Sequence, residues 1–259
     1  MTVDEIGRRL DVARQVAAEA GALTRGYFDA PERLMTRLKG PQDYLTEADG
    51  ASERLIVGRL LDAFPDDGIL GEEEGGTPKE QTWIIDPIDG TANFARGVPH
   101  WAISIGFAVG RTLELGVVFN PATGIMYVGR RGHGATRNGQ PIRVSGATAI
   151  DQAIVETGWS RRRPTSDYTK LIGRMLDMGA AFRRQGSAAM GLAMVADGRS
   201  DGYTELHINS WDVAAGIVLV REAGGWATDF LAGDGLTQGG PIVACTPALR
   251  EAIERAAGP

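Results

Sequence analysis

The 259-residue sequence is short of several things, beginning with cysteine and histidine: it has one Cys and three His. A lone Cys245 excludes a disulfide scaffold and any cysteine-based zinc site. No stretch approaches the ~20 consecutive apolar residues of a membrane helix, and the most apolar one, Trp101 to Gly110, is about half as long. Basic residues are in deficit, with 27 Lys plus Arg against 33 Asp plus Glu and a formal charge of −6. That balance argues against a general nucleic-acid binder, which carries a basic stripe. Asp4, Glu5, Arg8 and Arg9 do not read as the start of a signal peptide. There is no Pro/Ser-rich linker, and no repeat recurs at about 20–50 residues. The expectation is a cytoplasmic protein that engages neither membrane nor nucleic acid.

What is present is an ordinary globular composition, 43% hydrophobic and 23% charged, with an unusual 36 glycines. Ile6, Leu10, Ala13, Ala17 and Ala20 line one face of a helix, with Thr2 and Glu5 as a capping box. Thr46 to Phe64 repeats that pattern and stops at Pro65. Arg37 to Tyr44, with Lys39, Gly40 and Pro41, reads as a loop or hairpin tip. The middle is strand-rich: Ile69-Leu70, Trp83-Ile84-Ile85, Ala102 to Val109, Leu115 to Phe119 and Ile125 to Val128. Turns fall at Asn120 to Gly124 and Asn138-Gly139. After about residue 145 strands and helices alternate, with strands at Ile154 to Thr157, Gly202 to Leu206 and Ile242 to Cys245. Helices are expected over Asp167 to Met178, Ser187 to Ala196, Asp212 to Ala223 and Pro247 to Ala257. The fold class is α/β, α+β in the first half. One domain spans 1–259, with subdomains 1–145 (helices on an antiparallel sheet) and 146–259 (an α/β layer).

The chemistry concentrates in Trp83 to Phe94. An apolar strand delivers Asp86 at its end, where Pro87 cannot continue the ladder, and Asp89 follows just before Gly90-Thr91. Two carboxylates three apart around a tight turn can converge, with the Ile88 carbonyl beside them. Hard oxygen donors of this kind suit Mg²⁺, although Asp-Gly is also common in plain turns. Gly90-Thr91-Ala92 could open a helix whose N–H groups hold an anion. Gly71-Glu72-Glu73-Glu74-Gly75-Gly76 is either a solvated charge run or a set of acids at a strand end. Asp49 stands three after Thr46, where an acid favours the helix by itself. Asp212 follows Trp211 at a helix start and can be read as a cap. Gly186-Ser187-Ala188 is a second Gly-to-helix junction, equally consistent with close packing of small residues.

In sequence order these segments are a lysine loop, Thr-x-x-Asp, Gly-Glu-Glu, Asp-Pro-Ile-Asp-Gly-Thr, Gly-Ser-Ala, then Trp-Asp-x-Ala-Ala-Gly and Glu-Ala-Gly-Gly. The set resembles the inositol monophosphatase family of metal-dependent phosphatases, from Lys39 to Gly225 and through both flanking helices. The resemblance implies a layered αβαβα sandwich of the inositol monophosphatase and fructose-1,6-bisphosphatase type. It implies a first metal on Glu72, Asp86 and the Ile88 carbonyl and a second on Asp86, Asp89 and Asp212, with a third, weaker cation near Glu72. Two to three Mg²⁺ per site are therefore expected, with Mn²⁺ as a substitute. Glu73 matches the second acid of the family's Gly-Glu-Glu. Thr91 and Asp49 match the dyad that activates water, and Lys39 a lysine of an active-site loop. Gly186, Ser187, Ala188 and Glu205 match substrate contacts, joined by Asp89, Gly90 and Thr91. Ala92 and Glu74 depart from the family pattern without removing a ligand.

The implied reaction is hydrolysis of a small phosphorylated polyol, inositol 1-phosphate first, with two metals about 3.5–4 Å apart serving an in-line displacement. Consistently, the chain lacks Gly-x-Ser-x-Gly, His-Glu-x-x-His and a phosphate-loop Gly-x-x-x-x-Gly-Lys motif. Histidinol phosphate and fructose 1,6-bisphosphate are the alternative substrates, and a regulatory binding protein on the same fold is the alternative class. A homodimer is expected from the resemblance. Arg161-Arg162-Arg163 reads as an exposed loop, His207 as a packing, surface or substrate-facing residue, and Cys245 as a buried thiol. Asp49, Glu72, Glu73, Asp86, Asp89 and Asp212 equal the whole surplus of six acids. The charge is thereby assigned to one pocket that needs cations before it can admit a phosphate.

Overall fold

The first helix begins where the sequence puts it. In the computed structural model, which describes residues 2–30, 36–40 and 43–258 (without the side chains of 36–40 and 43–44), α1 spans Val3–Phe28. Thr2 N–H donates to Glu5 Oε2 at 2.6 Å and Glu5 N–H to Thr2 Oγ1 at 3.3 Å, closing the capping box. β1 (Thr36–Gly40) and β2 (Asp43–Thr46) form an antiparallel hairpin over the segment read as a loop or hairpin tip. β2 runs directly into α2 (Glu47–Ala63), which ends at Phe64 before Pro65.

A seven-stranded sheet follows, in the order β3 (Gly68–Gly71), β4 (Gln81–Asp89), β5 (Ala102–Val109), β6 (Thr112–Asn120), β7 (Ile125–Arg130), β8 (Gly134–Arg137) and β9 (Gln140–Pro141). β3 is parallel to β4 and every other pair is antiparallel. The short helix α3 (Thr91–Ala95) joins β4 to β5. Alternation sorts the strands: Trp83, Ile85, Ile103, Ile105 and Phe107 pack with Ile6, Ala13, Ile56 and Leu60 of α1 and α2. The opposite face is small, and that is what admits a helix closely.

The remaining chain supplies β10 (Ile154–Thr157), α4 (Thr165–Asp177), β11 (Ala181–Arg183), α5 (Ala188–Ala196), β12 (Gly202–Ile208), α6 (Ser210–Glu222), β13 (Trp226–Ala227), α7 (Gly235–Gln238), β14 (Gly240–Cys245) and α8 (Arg250–Ala257). Its five strands form a mixed sheet in the order β11-β10-β12-β14-β13. α5 and α6 share a core with Ile84, Ala102 and Val118 of the first sheet and Tyr203, Ile242 and Ala244 of the second. On the far side of the second sheet, Leu171 and Met175 of α4 and Ile253 of α8 pack on Val155, Val243 and Cys245. The layers are thus helices, sheet, helices, sheet, helices, the expected αβαβα order. Among the described residues no helix is long and apolar enough to cross a membrane.

Two expectations need correction. β4 does not stop at Asp86: it continues to Asp89, with a bulge in which Asp86 pairs with Ser104 and Asp89 with Ala102. Pro87, which has no N–H to give, lies within that bulge, so the strand passes it without losing a ladder bond at its position. The helix over Asp212 begins earlier, at Ser210 with Asn209 as its cap. Asp212 is therefore the third helical residue, its Oδ2 accepting the Asn209 N–H at 3.0 Å.

Candidate active site

α6 is seated by two glycines. A Cβ on Gly116 of β6 would lie 2.3 Å from the Ala215 carbonyl oxygen, and one on Gly106 of β5 would lie 2.9 Å from the Ala214 Cβ. Only a bare backbone allows that approach. Ser104 Oγ also donates to the Trp211 carbonyl at 3.2 Å, fixing the first turn of α6 to the strand residue paired with Asp86. The result is convergence: one oxygen each from Asp86, Asp89 and Asp212 lies within 4.8 Å of the others.

Each acid is held separately. Ile88 N–H donates to Asp86 Oδ1 at 2.9 Å across the bulge. Asp89 Oδ2 sits at the start of α5, accepting Ser187 Oγ at 2.5 Å and the Ala189 N–H at 2.7 Å. The junction read as a possible anion site thus receives a carboxylate of the chain itself. Asn93 of α3 anchors the approach to α5, its Nδ2 donating to the carbonyls of Gln185 at 2.8 Å and His100 at 2.6 Å.

Burial raises all three carboxyl groups above the ordinary aspartate range, and neighbouring charges add to the rise at Asp86 and Asp212. Asp86 is raised well above the ordinary aspartate range, first by burial and then by the charges of Glu72, Asp89 and Asp212. Asp212 is pushed up by burial and then by Asp89 and Glu205. Asp89 is raised by burial against the opposing pull of Ser187 and the α5 amides. Carboxylates this crowded suit a divalent hard cation, whose positive charge would offset their mutual repulsion. Glu72, in the loop after β3, lies outside the trio but close enough to be the strongest charge acting on Asp86.

Beside the trio stands a second constellation. Thr91 Oγ1 donates toward Asp49 Oδ1 at 3.2 Å and the Ile88 carbonyl at 3.1 Å. Asp49 Oδ2 accepts Thr46 N–H at 2.8 Å and Thr46 Oγ1 at 2.6 Å, so it caps α2 and faces Thr91 at once. Burial pushes its carboxyl up to about 6, opposed by the Thr46 bonds and assisted by the Glu73 charge. Gly90 is the cap of α3. Lys39 falls on β1, and its side chain lies outside the described residues.

A cavity of about 180 Å³ opens next to Asp89 and Asp212, lined also by Gly186, Ser187, Ala188 and Glu205. Tyr203 Oη donates to Glu205 Oε2 at 2.8 Å, and burial raises the Glu205 carboxyl to about 7. Gly158 makes room for it, since a Cβ there would lie 1.6 Å from Glu205 Oε2. Glu156, Trp159, Arg184 and Tyr203, which no sequence motif marks, line the same cavity. Glu53, buried on α2, also falls outside every motif, although its spacing of four from Asp49 is a usable signal of a shared face. His207 lies in a different cavity, of about 390 Å³, with Arg163, Lys170 and Arg174. Arg161 to Arg163 are exposed and Cys245 is buried, as expected.

A layered α/β sandwich with clustered acids at one strand bulge, a Thr–Asp pair beside them and a polar cavity in front is the architecture of a metal-dependent phosphatase. The chain belongs to the inositol monophosphatase family: the profile described as "Inositol monophosphatase family" matches residues 7–257. It is 40% identical over 255 residues to an inositol-1-monophosphatase of Rhizobium meliloti, covering 95% of this chain and 96% of that one. It is 37% identical over 249 residues to the Nus factor SuhB of Escherichia coli, covering 94% and 93%. Among solved structures it is similar to the extragenic suppressor protein suhB of Bartonella henselae, with TM-score 0.89, 33% identity and 96% and 98% of the chains covered. It is also similar to an inositol monophosphatase of Anabaena, with TM-score 0.83, 34% identity and coverage of 97% and 96%. The protein is accordingly a phosphatase of a metal-dependent hydrolase family.

Proposed function

We propose that the protein hydrolyses inositol 1-phosphate, or a closely similar phosphorylated polyol, to the free alcohol and phosphate with Mg²⁺ as cofactor. One observation carries the reading: the acid trio and a cavity of mixed donors and acceptors share Asp89 and Asp212 as a common wall. Asp86, Asp89, Asp212, Glu72 and the Ile88 carbonyl would hold two to three Mg²⁺, with Mn²⁺ as a substitute. When bound, the metal supplies charge neutralisation for the phosphate and acidifies water for attack. Thr91 Oγ1 orients that water and passes its proton to Asp49 Oδ1, 3.2 Å away. Glu205, braced by Tyr203, accepts hydrogen bonds from substrate hydroxyls, and Arg184 and Gln185 offer donors across the cavity. Glu73 adds negative charge beside Asp49.

The cavity favours a polyol over an amine. Glu156, which lines the cavity together with Glu205, already accepts Ser200 Oγ at 2.9 Å and Gln185 Nε2 at 2.8 Å, and Arg184 would repel an ammonium. Histidinol phosphate therefore ranks below inositol 1-phosphate, and so does fructose 1,6-bisphosphate, whose second phosphate would face Glu156 and Glu205 across the cavity. A regulatory binding role is the second reading, favoured by the 37% identical relative named a Nus factor. The same proposal includes a cytoplasmic homodimer. Phosphate release with Mg²⁺ from the three substrates, compared as kcat/KM, tests the assignment. Inositol 1-phosphate is expected to lead by at least about tenfold, and a lead for histidinol phosphate would overturn the substrate reading.

A further inference from the structure

Glu53 has no part in the reaction as assigned above, yet it is fully buried within reach of the acidic loop. It stands one helical turn after Asp49 on α2. Both of its carboxylate oxygens accept main-chain N–H groups: Oε2 from Glu73 at 2.9 Å and Oε1 from Glu74 at 2.8 Å. These are the two residues directly after Glu72. The sequence has made space for this contact, because a Cβ on Gly71 would lie 2.3 Å from Glu53 Oε1 and 2.7 Å from Cδ. The two amides engage different oxygens of Glu53, and a glutamine held in the same place would present its own NH₂ group to one of them. Burying a carboxylate among other acids is costly, and charge-assisted bonds to both amides offset that cost.

We propose that Glu53 is a positioning residue for the metal site: by clamping the Glu73 and Glu74 amides it fixes the loop that presents Glu72 toward Asp86 and Glu73 toward Asp49. The inference rests on the metal-dependent reading above. The role is one of orientation, comparable to residues behind metal ligands whose loss weakens binding by about 10–100-fold. α2 thus serves the site twice, through Asp49 directly and through Glu53 by way of the loop.

The test uses Glu53→Gln, Gly71→Ala and, as control, Arg54→Ala, which among the described residues removes the exposed 3.5 Å pair with Glu74. Calorimetric titration with Mg²⁺ in the absence of substrate is the primary readout, joined by the Mg²⁺ dependence of phosphate release. Glu53→Gln and Gly71→Ala are expected to weaken Mg²⁺ binding and raise the half-saturating Mg²⁺ by about tenfold or more, with kcat at saturating Mg²⁺ falling far less. Arg54→Ala is expected to match the wild type. Cooperatively folded variants that bind Mg²⁺ within about twofold of wild type would overturn the proposal. If the variants do not fold, amide exchange decides: the Glu73 and Glu74 amides of the metal-free wild type should exchange slowly, and unprotected exchange overturns the clamp. A wild type that binds no Mg²⁺ would overturn the metal reading and this inference together; wild-type binding with unaltered variants would overturn this one alone.

Discussion

Thr91 and Asp49 are 42 residues apart in sequence, yet the Thr91 hydroxyl lies 3.2 Å from Asp49 Oδ1. The contact joins the first turn of α3 to the first turn of α2, and the other Asp49 oxygen is held by Thr46. Under the proposed mechanism Thr91→Ala should lower kcat by about 10²–10⁴ with little change in KM, because the pair would act on the proton and not on substrate affinity. In the proposed role of base Asp49 must be ionised, and burial raises it to about 6. Activity should therefore climb from the acid side through that region, more steeply in wild type than in the variant. Steady-state phosphate release across pH checks both.

Glu205 ties stability to pH. Burial lifts its folded carboxyl to about 7 from an ordinary 4.5, so the native protein holds a proton that the unfolded chain releases. Its contribution is full below about pH 4.5 and is lost as pH rises toward 7. Glu205→Gln should consequently be more stable than wild type at pH 8 by on the order of 1–3 kcal/mol and nearly equal to it at about pH 4. Urea denaturation in chelator at both pH values measures this, and an unchanged pH slope in the variant would count against it.

Gly116 and Gly58 should respond oppositely to alanine. At Gly116 the new Cβ would press the Ala215 carbonyl at 2.3 Å, whereas at Gly58, inside α2, nothing lies within 4 Å. Gly116→Ala should cost about 1–3 kcal/mol by pushing α6 off the sheet, and Gly58→Ala should stabilise by about 0.5–1 kcal/mol. Because α6 carries Asp212, the Gly116 variant should also bind Mg²⁺ more weakly, which the Gly58 variant should not. Thermal denaturation with and without Mg²⁺ separates the two effects.

Much of this was legible from residues alone, for identifiable reasons. The capping box at Thr2, the two helices on the first sheet and the Asn138-Gly139 turn follow from local periodicity and turn chemistry, and the structure has all of them. The acids announced themselves through their motif. What stayed hidden was set by tertiary contact. The bulge that carries β4 past Pro87 depends on pairing with β5, and the short β11, β13 and α7 draw their support from neighbours. Asp212 looked like a cap because the true cap, Asn209, is equally able to fill that place. Glu53 was overlooked because its partners are main-chain amides of a distant loop, which no side-chain pattern records.

The central claim is that Asp86, Asp89 and Asp212 form a metal site on which phosphate release depends. The most direct measurement is a Mg²⁺ titration of chelator-treated protein acting on inositol 1-phosphate, run in parallel for wild type and Asp89→Asn. The account predicts no turnover without metal, saturable activation of wild type, and an Asp89→Asn variant that folds but is slower by orders of magnitude at every Mg²⁺ concentration. Turnover in chelator, or near wild-type release by Asp89→Asn, would contradict it.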